Sequence, residues 1–133
     1  MKLSSIRTLL RWLLGLCFVA AGLNHFISPR FYLPIMPPFL PWPVALIHVS
    51  GVAEILGGLG VLVPAVRKLA GWGLIVLLVA VFPANLYAAF NGAGSIPPWI
   101  LWVRLPFQVV FIAWVYWTCL SSFPVRPSSP PAP

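Results

Sequence analysis

Acidic side chains are almost absent from the sequence: Glu54 is the only one among 133 residues. Charged residues make up 7% of the chain and hydrophobic residues 61%, whereas soluble globular domains carry about 25% charged residues. This composition excludes a soluble fold and indicates an integral membrane protein. Because one crossing takes about 20 apolar residues, the chain has room for one all-α domain, a bundle of four transmembrane helices.

Several catalytic and binding motifs are also missing. Cys17 and Cys119 form neither a CxxC redox pair nor a Cys/His zinc cluster, and we predict that both are small buried hydrophobic side chains. There is no Ser-His-acid combination of a nucleophilic enzyme and no glycine-rich phosphate loop, so we expect no catalysis by this chain on its own. The net charge of +7 comes from scattered Lys and Arg residues, which argues against a nucleic-acid partner.

Hydrophobic runs predict the four crossings. The first follows a basic segment, and a secretory signal peptide is the alternative interpretation, since residues 18–22 loosely resemble a cleavage site. Three further crossings follow, so we expect this segment to remain in the mature protein. Pro83 should kink the third crossing or be accommodated by neighbouring helices. The predicted crossings are 8–26, 44–63, 69–90 and 98–120, within a membrane domain of residues 1–120 that precedes a disordered Ser/Pro-rich tail at 121–133.

Residues 28–43 predict a loop between the first two crossings. The segment contains six of the 16 prolines, interleaved with aromatic residues. Proline disfavours a regular helix, and aromatic side chains favour the headgroup level of a membrane. We therefore predict a loop in the outer interface that covers the bundle as a lid, or that serves only as a rigid connector with aromatic anchors.

Basic residues predict the orientation, because cytoplasmic loops of membrane proteins carry an excess of Lys and Arg. Four crossings bring the basic N-terminus, the Arg67-Lys68 turn and Arg126 to one side, whereas Arg30 falls on the other and Arg104 within a crossing. We therefore predict that both termini are cytoplasmic and that the protein lies in the bacterial plasma membrane.

The strongly polar side chains within the crossings all fall in the predicted outer half. With a rise of about 1.5 Å per residue, Glu54 lies roughly 15 Å from the outer boundary. A carboxylate at that depth is costly unless it is paired, protonated or faces a wet cavity, so it marks a candidate site. The candidate ligand-binding residues are Asn24, His25, Glu54, Asn85, Arg104 and Gln108.

Helical spacing predicts that these polar residues point into the bundle. Residues three, four or seven apart share a face, and small residues mark close helix contacts in membranes. The predicted stripes are Gly15, Gly22 and His25 in the first crossing, Ser50, Gly51, Glu54 and Gly58 in the second, and Arg104, Gln108 and Phe111 in the fourth.

We predict that Glu54 forms an ion pair with Arg104, because an unpaired buried charge costs several kcal/mol or is neutralised. Alternatively, Arg104 reaches the outer headgroups, and a protonated Glu54 hydrogen-bonds to Asn85 or a histidine. Glu54 with His25 and His48 would satisfy a metal-ligand count, but their spacing is irregular and no HxxH or ExxH motif is present. We therefore predict no metal site, and interpret His48 as an interface anchor.

Six segments carry a family resemblance: AGLNHF at 21–26, FYLPIMPPFLPWP at 31–43, SGVAEILGGLG at 50–60, Pro-x-x-Arg at 64–67, AGWGLI at 70–75 and VFPAN at 81–85. Together they resemble the DoxX-like family of small bacterial membrane proteins, named after subunits of quinone-linked oxidoreductases. The resemblance implies a four-helix bundle in the plasma membrane without fixing an activity. The missing cysteine pair argues against direct thiol redox chemistry. The motif positions are Asn24, His25, Pro37, Pro38, Glu54, Pro83 and Asn85.

Three functional hypotheses follow. The leading one is a non-catalytic component that binds a lipophilic small molecule, with a quinone as the candidate cofactor, in a polar pocket of the outer half and serves a membrane redox partner. The second is a small-solute or proton transporter with Glu54 and His25 as relay groups, for which four short helices would need to form a homo-oligomer. The third is a purely structural role, in which the polar residues stabilise the bundle against a partner subunit.

Overall fold

The structure is a computed structural model that describes residues 2–122. These residues form helices and turns without any strand, and four of the helices are long and apolar enough to cross a membrane. The predicted all-α, four-helix transmembrane architecture is therefore confirmed. Arg126 and the predicted tail beyond residue 122 lie outside the described residues.

The four spanning helices are joined by short connections. Between the first two lie a single-turn helix, α2, and a 3-10 turn, so the predicted loop is partly helical. Proline stands at the start of α2, α3 and α5, because the first turn of a helix needs no backbone N–H donor. The elements are α1 (Leu3–Ile27), α2 (Pro29–Tyr32), the 3-10 turn (Leu33–Ile35), α3 (Pro43–Gly60), α4 (Arg67–Asn91), α5 (Pro98–Val115) and a π-helical extension of α5 (Tyr116–Leu120).

The bundle has two different ends. The connection between α1 and α3 and the turn between α4 and α5 share one end, which we call the loop end. The start of α1, the α3–α4 turn and the end of α5 share the other, which we call the basic end. There the guanidinium groups of Arg7 and Arg11 donate to the Thr118 carbonyl, Arg11 at 2.8 Å. These bonds join the first helix to the last.

Glycines bring α1 and α3 into backbone contact. A Cβ atom added to Gly15 would lie 2.7 Å from the carbonyl oxygen of Gly58, and one added to Gly22 would lie 2.6 Å from that of Gly51. Neither distance leaves room for a side chain, so the predicted contact stripes of the first and second crossings are confirmed at these glycines. We call these four glycines the glycine seam.

Around the bundle, α1 neighbours α3, α3 neighbours α4, α4 neighbours α5, and α5 returns to α1. The pairs α1–α4 and α3–α5 make no close contact within residues 2–122 and thus lie diagonally across the bundle. This order decides which polar side chains from different helices can meet.

The best-packed core lies toward the basic end. Leu14, Leu74 and Val115 are fully buried, and Cys119 packs beside them. The prediction for Cys119 is therefore confirmed, but that for Cys17 is wrong, because Cys17 is exposed. It lies about 200° around the helix from Gly15, which places it on the surface that α1 presents to lipid rather than on the seam.

Candidate functional site

A cavity lies at the loop end of the bundle. It contains about 480 Å³ of empty space, its opening included. All four spanning helices contribute to its wall, and part of the α1–α3 connection covers it. The lining residues are His25, Tyr32, Ile35, Met36, Ile47, Ser50, Glu54, Val81, Ala84, Asn85 and Arg104.

The structure brings four of the six predicted site residues to the cavity wall: His25, Glu54, Asn85 and Arg104. Asn24 is not among the lining residues. Its side-chain amide donates to the Tyr32 hydroxyl at 2.9 Å, and the Tyr32 ring lies over the His25 ring with 4.0 Å between centroids. Asn24 therefore supports the site indirectly by holding Tyr32 in the wall.

Gln108, the sixth predicted residue, also lies behind the wall. It is buried, accepts from the Asn85 amide at 3.1 Å and donates to the Leu78 carbonyl. Helix α4 continues through Pro83, which supplies no N–H for the Val79 carbonyl. Gln108 of α5 donates to the Leu78 carbonyl, which is next to that of Val79, and also holds the Asn85 side chain. In this way α5 supports the turn of α4 that contains Pro83.

The His25 ring is held in one orientation. Its Nδ1 lies 2.8 Å from the Ile47 carbonyl oxygen. Because a carbonyl oxygen only accepts, Nδ1 carries a hydrogen, and in the neutral ring Nε2 is then an acceptor. Nε2 is the atom turned toward Glu54, at 3.5 Å from Oε2.

Glu54 has an unsatisfied oxygen. Its Oε2 is buried and has no hydrogen-bond partner among the described residues, since the 3.5 Å separation from His25 Nε2 is too long for a good hydrogen bond. A single proton between these two atoms would convert a neutral imidazole and a carboxylate into either an imidazolium with a carboxylate or an imidazole with a carboxylic acid. The pair can therefore accept or release one proton at the cavity wall.

The predicted ion pair between Glu54 and Arg104 is corrected by this geometry. Within residues 2–122, His25 is the basic side chain that lies within 4.0 Å of the carboxylate. The reason is the helix order: α3 and α5 are diagonal, whereas the seam brings α1 so close that a Cβ on Gly51 would meet the His25 Cβ at 2.8 Å. Histidine thus takes the near position.

Arg104 lies farther from Glu54 on the wall of the same cavity. It is half-buried and interacts electrostatically with Tyr32 and Glu54, but it forms no hydrogen bond to another described residue. A guanidinium group offers five N–H donors in a fixed plane. The cavity therefore combines a free acceptor at Glu54 with free donors at Arg104.

Two polar lining residues, Tyr32 and Ser50, were not among the predicted ligand-binding residues, although Ser50 was placed on the same stripe as Glu54. Ser50 stands four positions before Glu54 and so shares its helix face, which was a usable signal. Tyr32 reaches the wall only through the path of the α1–α3 connection, and no periodicity predicts that path. His48 stacks on Phe26 with 5.0 Å between ring centroids and lies outside the cavity wall. No three His, Cys, Asp or Glu side chains converge on a metal-sized site within residues 2–122.

Comparison with known proteins gives one match. A family model described as a domain of unknown function, DUF8561, matches residues 14–119. No curated protein and no solved structure matches the chain. The matched segment includes every residue that lines the cavity.

Proposed function

The chain belongs to the DUF8561 family, and we propose that this membrane protein is a non-catalytic binder of a small amphiphilic molecule whose head group occupies the loop-end cavity. The observation that carries this proposal is the buried Glu54 Oε2, which lacks a hydrogen-bond partner beside an open cavity. Buried polar atoms in native proteins are nearly always hydrogen-bonded. A donor from a ligand would satisfy this one.

The chemistry of the wall defines the head group. The Glu54 carboxylate would accept a hydrogen bond from a hydroxyl or N–H group of the ligand, and the Arg104 guanidinium would donate one to a ligand oxygen. Much of the remaining wall is apolar, with Ile35, Met36 and Val81 among its members, which favours a compact ring or chain. A quinol fits these demands, since its hydroxyl groups both donate and accept, and a quinone would retain the acceptor for Arg104.

The sequence segments that resemble the DoxX-like family support a quinone-type ligand and a redox partner in the membrane. The concentration of arginine at the basic end supports an orientation with both termini in the cytoplasm. In that orientation the cavity opens in the outer half of the plasma membrane, and a partner enzyme would exchange its ligand there.

Transport is less favoured by the packing. Between Glu54 and the basic end lie the buried apolar side chains of Leu14, Phe18, Leu74 and Val115, and the described residues offer no continuous polar path through them. A site that is accessible from one half of the membrane binds a ligand but does not pass it across.

The test is thermal unfolding of the purified protein in detergent with a short-chain quinol and its quinone as probes. We expect the quinol to raise the Tm of the wild type and of His48→Gln, a control that alters a polar residue outside the cavity. Glu54→Gln should weaken quinol binding about tenfold, because hydrogen bonds to charged groups contribute about 1.5–3 kcal/mol. Glu54→Met, which removes both oxygens, should abolish it.

Two results would contradict the proposal. An equal Tm shift in wild type and Glu54→Met would place the ligand elsewhere. If no probe shifts the wild type, including sterol-like lipids and small carboxylates, and Glu54→Met alone lowers the Tm, the polar residues act as a structural element and the protein works through protein contacts.

A further inference from the structure

A second cavity lies on the other side of Glu54. It contains about 410 Å³ of empty space, its opening included, and is lined by Cys17, Phe18, Ala21, Glu54, Leu78 and Phe111. Glu54 is its only ionisable carboxylate, and the other lining side chains are apolar or thiol groups. Because Glu54 also lines the loop-end cavity, a cavity with several polar lining residues and an apolar cavity adjoin at this residue.

The second cavity opens toward lipid. Cys17 and Ala21, one helical turn apart, are both exposed, whereas Phe18 is buried. The seam closes the side of α1 that faces α3, so the opening lies on its other side, toward α5. There α1 and α5 are joined nearer the basic end, by the Trp114 indole donating to the Leu10 carbonyl at 3.1 Å.

One aromatic contact bounds this opening on the side of the basic end. Phe18 of α1 meets Phe111 of α5 edge to face, with 5.7 Å between ring centroids. Toward the loop end from this pair, neither hydrogen bonds nor ring contacts join α1 to α5 among the described residues. The exposed side chains of Cys17 and Ala21 therefore mark the opening of the cavity toward the bilayer on this side of α1.

We infer that the second cavity holds the hydrocarbon tail of the same amphiphile, which passes Glu54 and leaves the bundle between α1 and α5. This inference rests on the proposed function, since it assigns the tail of the ligand whose head group lies in the first cavity. The ligand class is a single-chain amphiphile with a compact hydroxylated head. A bilayer lipid chain has the same chemistry in the tail, but it would enter without any requirement for the head-group residues.

Cys17 provides a reporter within the tail cavity, and the buried Cys119 provides an internal reference. The full-length protein is reconstituted in phosphatidylcholine vesicles and treated with N-ethylmaleimide at neutral pH, where free thiols still react through their thiolate fraction and a phenol keeps its proton. The probes are methyl and dodecyl 4-hydroxybenzoate, which share a phenol donor and an ester acceptor and differ only in the tail. Mass spectrometry then gives the alkylation rate of each cysteine.

We expect the dodecyl ester to slow alkylation of Cys17 severalfold and the methyl ester to leave it unchanged. Glu54→Met should remove the protection, because the tail is held by its head. Ala21→Phe should fill the cavity, so that the dodecyl ester no longer raises the Tm while the methyl ester still does. Ala20→Phe adds the same ring at an exposed position outside the cavity and should leave both responses intact.

The outcomes separate the two proposals. If the methyl ester raises the Tm through Glu54 but the dodecyl ester leaves Cys17 unprotected, the head-group site stands and the tail inference is overturned. Protection of Cys17 that persists in Glu54→Met would also overturn it, since a lipid-like chain would then enter independently of the head. If neither ester raises the wild-type Tm, the head-group site fails, and the assignment of the tail fails with it.

Discussion

The two ends of the bundle are packed in opposite ways. Toward the basic end, Leu14, Leu74 and Val115 are fully buried, and the Arg7 and Arg11 side chains donate to the Thr118 carbonyl near the end of the last helix. Toward the loop end, the helices enclose a cavity, and the buried oxygen of Glu54 is without a partner. Binding sites belong to the less stable parts of proteins, so the basic end supplies the stability that an unsatisfied site at the loop end requires.

The glycine seam connects these two regions. Its Gly15–Gly58 contact lies in the basic half, and its Gly22–Gly51 contact lies beside His25 and Glu54. The distance between the two site residues is therefore set by the same helix pair that contributes to the core. Substitutions in the basic half should change stability, whereas substitutions at the cavity should change ligand binding.

The largest loss of stability is expected for Leu74→Ala in the basic half. Leu74 is fully buried, and truncation of such a side chain costs about 2–5 kcal/mol. The matched change in the loop half is Val81→Ala, which enlarges an existing cavity and should cost less than about 1 kcal/mol. Unfolding in mixed micelles with increasing denaturing detergent measures both, and equal losses would contradict the contrast between the two halves.

Gly58→Ala should rank second. The added Cβ would lie 2.7 Å from the Gly15 carbonyl, and such overpacking costs about 1–3 kcal/mol. Gly73→Ala is the matched control, because a Cβ at Gly73 meets nothing within 4 Å. Alanine favours a helix over glycine by up to about 1 kcal/mol, so the control should be neutral or stabilising. A stable Gly58→Ala protein would show that the seam is not tightly packed.

Gln108→Leu should have an intermediate effect on stability and, unlike the two substitutions above, should also affect ligand binding. It removes the bonds to Asn85 and to the Leu78 carbonyl, and groups left unpaired cost about 1–3 kcal/mol. Ligand affinity should also fall, because Asn85 loses its support. Asn91→Leu, which removes an exposed side-chain bond at the loop end, is the control, and it should change neither the unfolding midpoint nor the affinity.

Glu54→Gln should have the smallest effect on stability without ligand. Its Oε2 has no hydrogen bond to lose, so the free energy of unfolding should stay within about 0.5 kcal/mol of the wild-type value. It could also rise, because substitutions at binding sites often stabilise a protein while they weaken its function. The same unfolding assay without ligand measures this. A loss comparable to that of Leu74→Ala would make Glu54 part of the structural core.

The sequence predicted the fold well because membrane helices are long and apolar, and because small residues mark helix contacts. The four crossings and the glycine stripes follow from those two signals alone. The partner of Glu54 did not follow, since periodicity gives the face of a helix but not which helix lies opposite. Arg104 is the stronger cation, but it stands on the diagonal helix, and His25 stands on the adjacent one.

Cys17 and Tyr32 show two further limits. Residues 12–23 of α1 are apolar on every side, so no contrast in polarity separates the lipid-facing surface from the interior there, and the sequence could not predict that Cys17 is exposed. Tyr32 lies in a proline-rich connection whose path depends on the packing of the helices below it. The candidate site was therefore predictable in four of its lining residues, but not in the partner of Glu54 or in the segment that covers the cavity.

The contact between His25 and Glu54 also has a consequence for biosynthesis. The ribosome delivers α1 before α3, so the imidazole is already in the membrane when the carboxylate is inserted, whereas Arg104 is translated fifty residues after Glu54. If the seam forms as soon as α3 enters, the Glu54 carboxylate has the His25 imidazole beside it from the time it reaches the lipid. The glycine contacts would then pair the first two spans during membrane insertion, before the other two helices are in place.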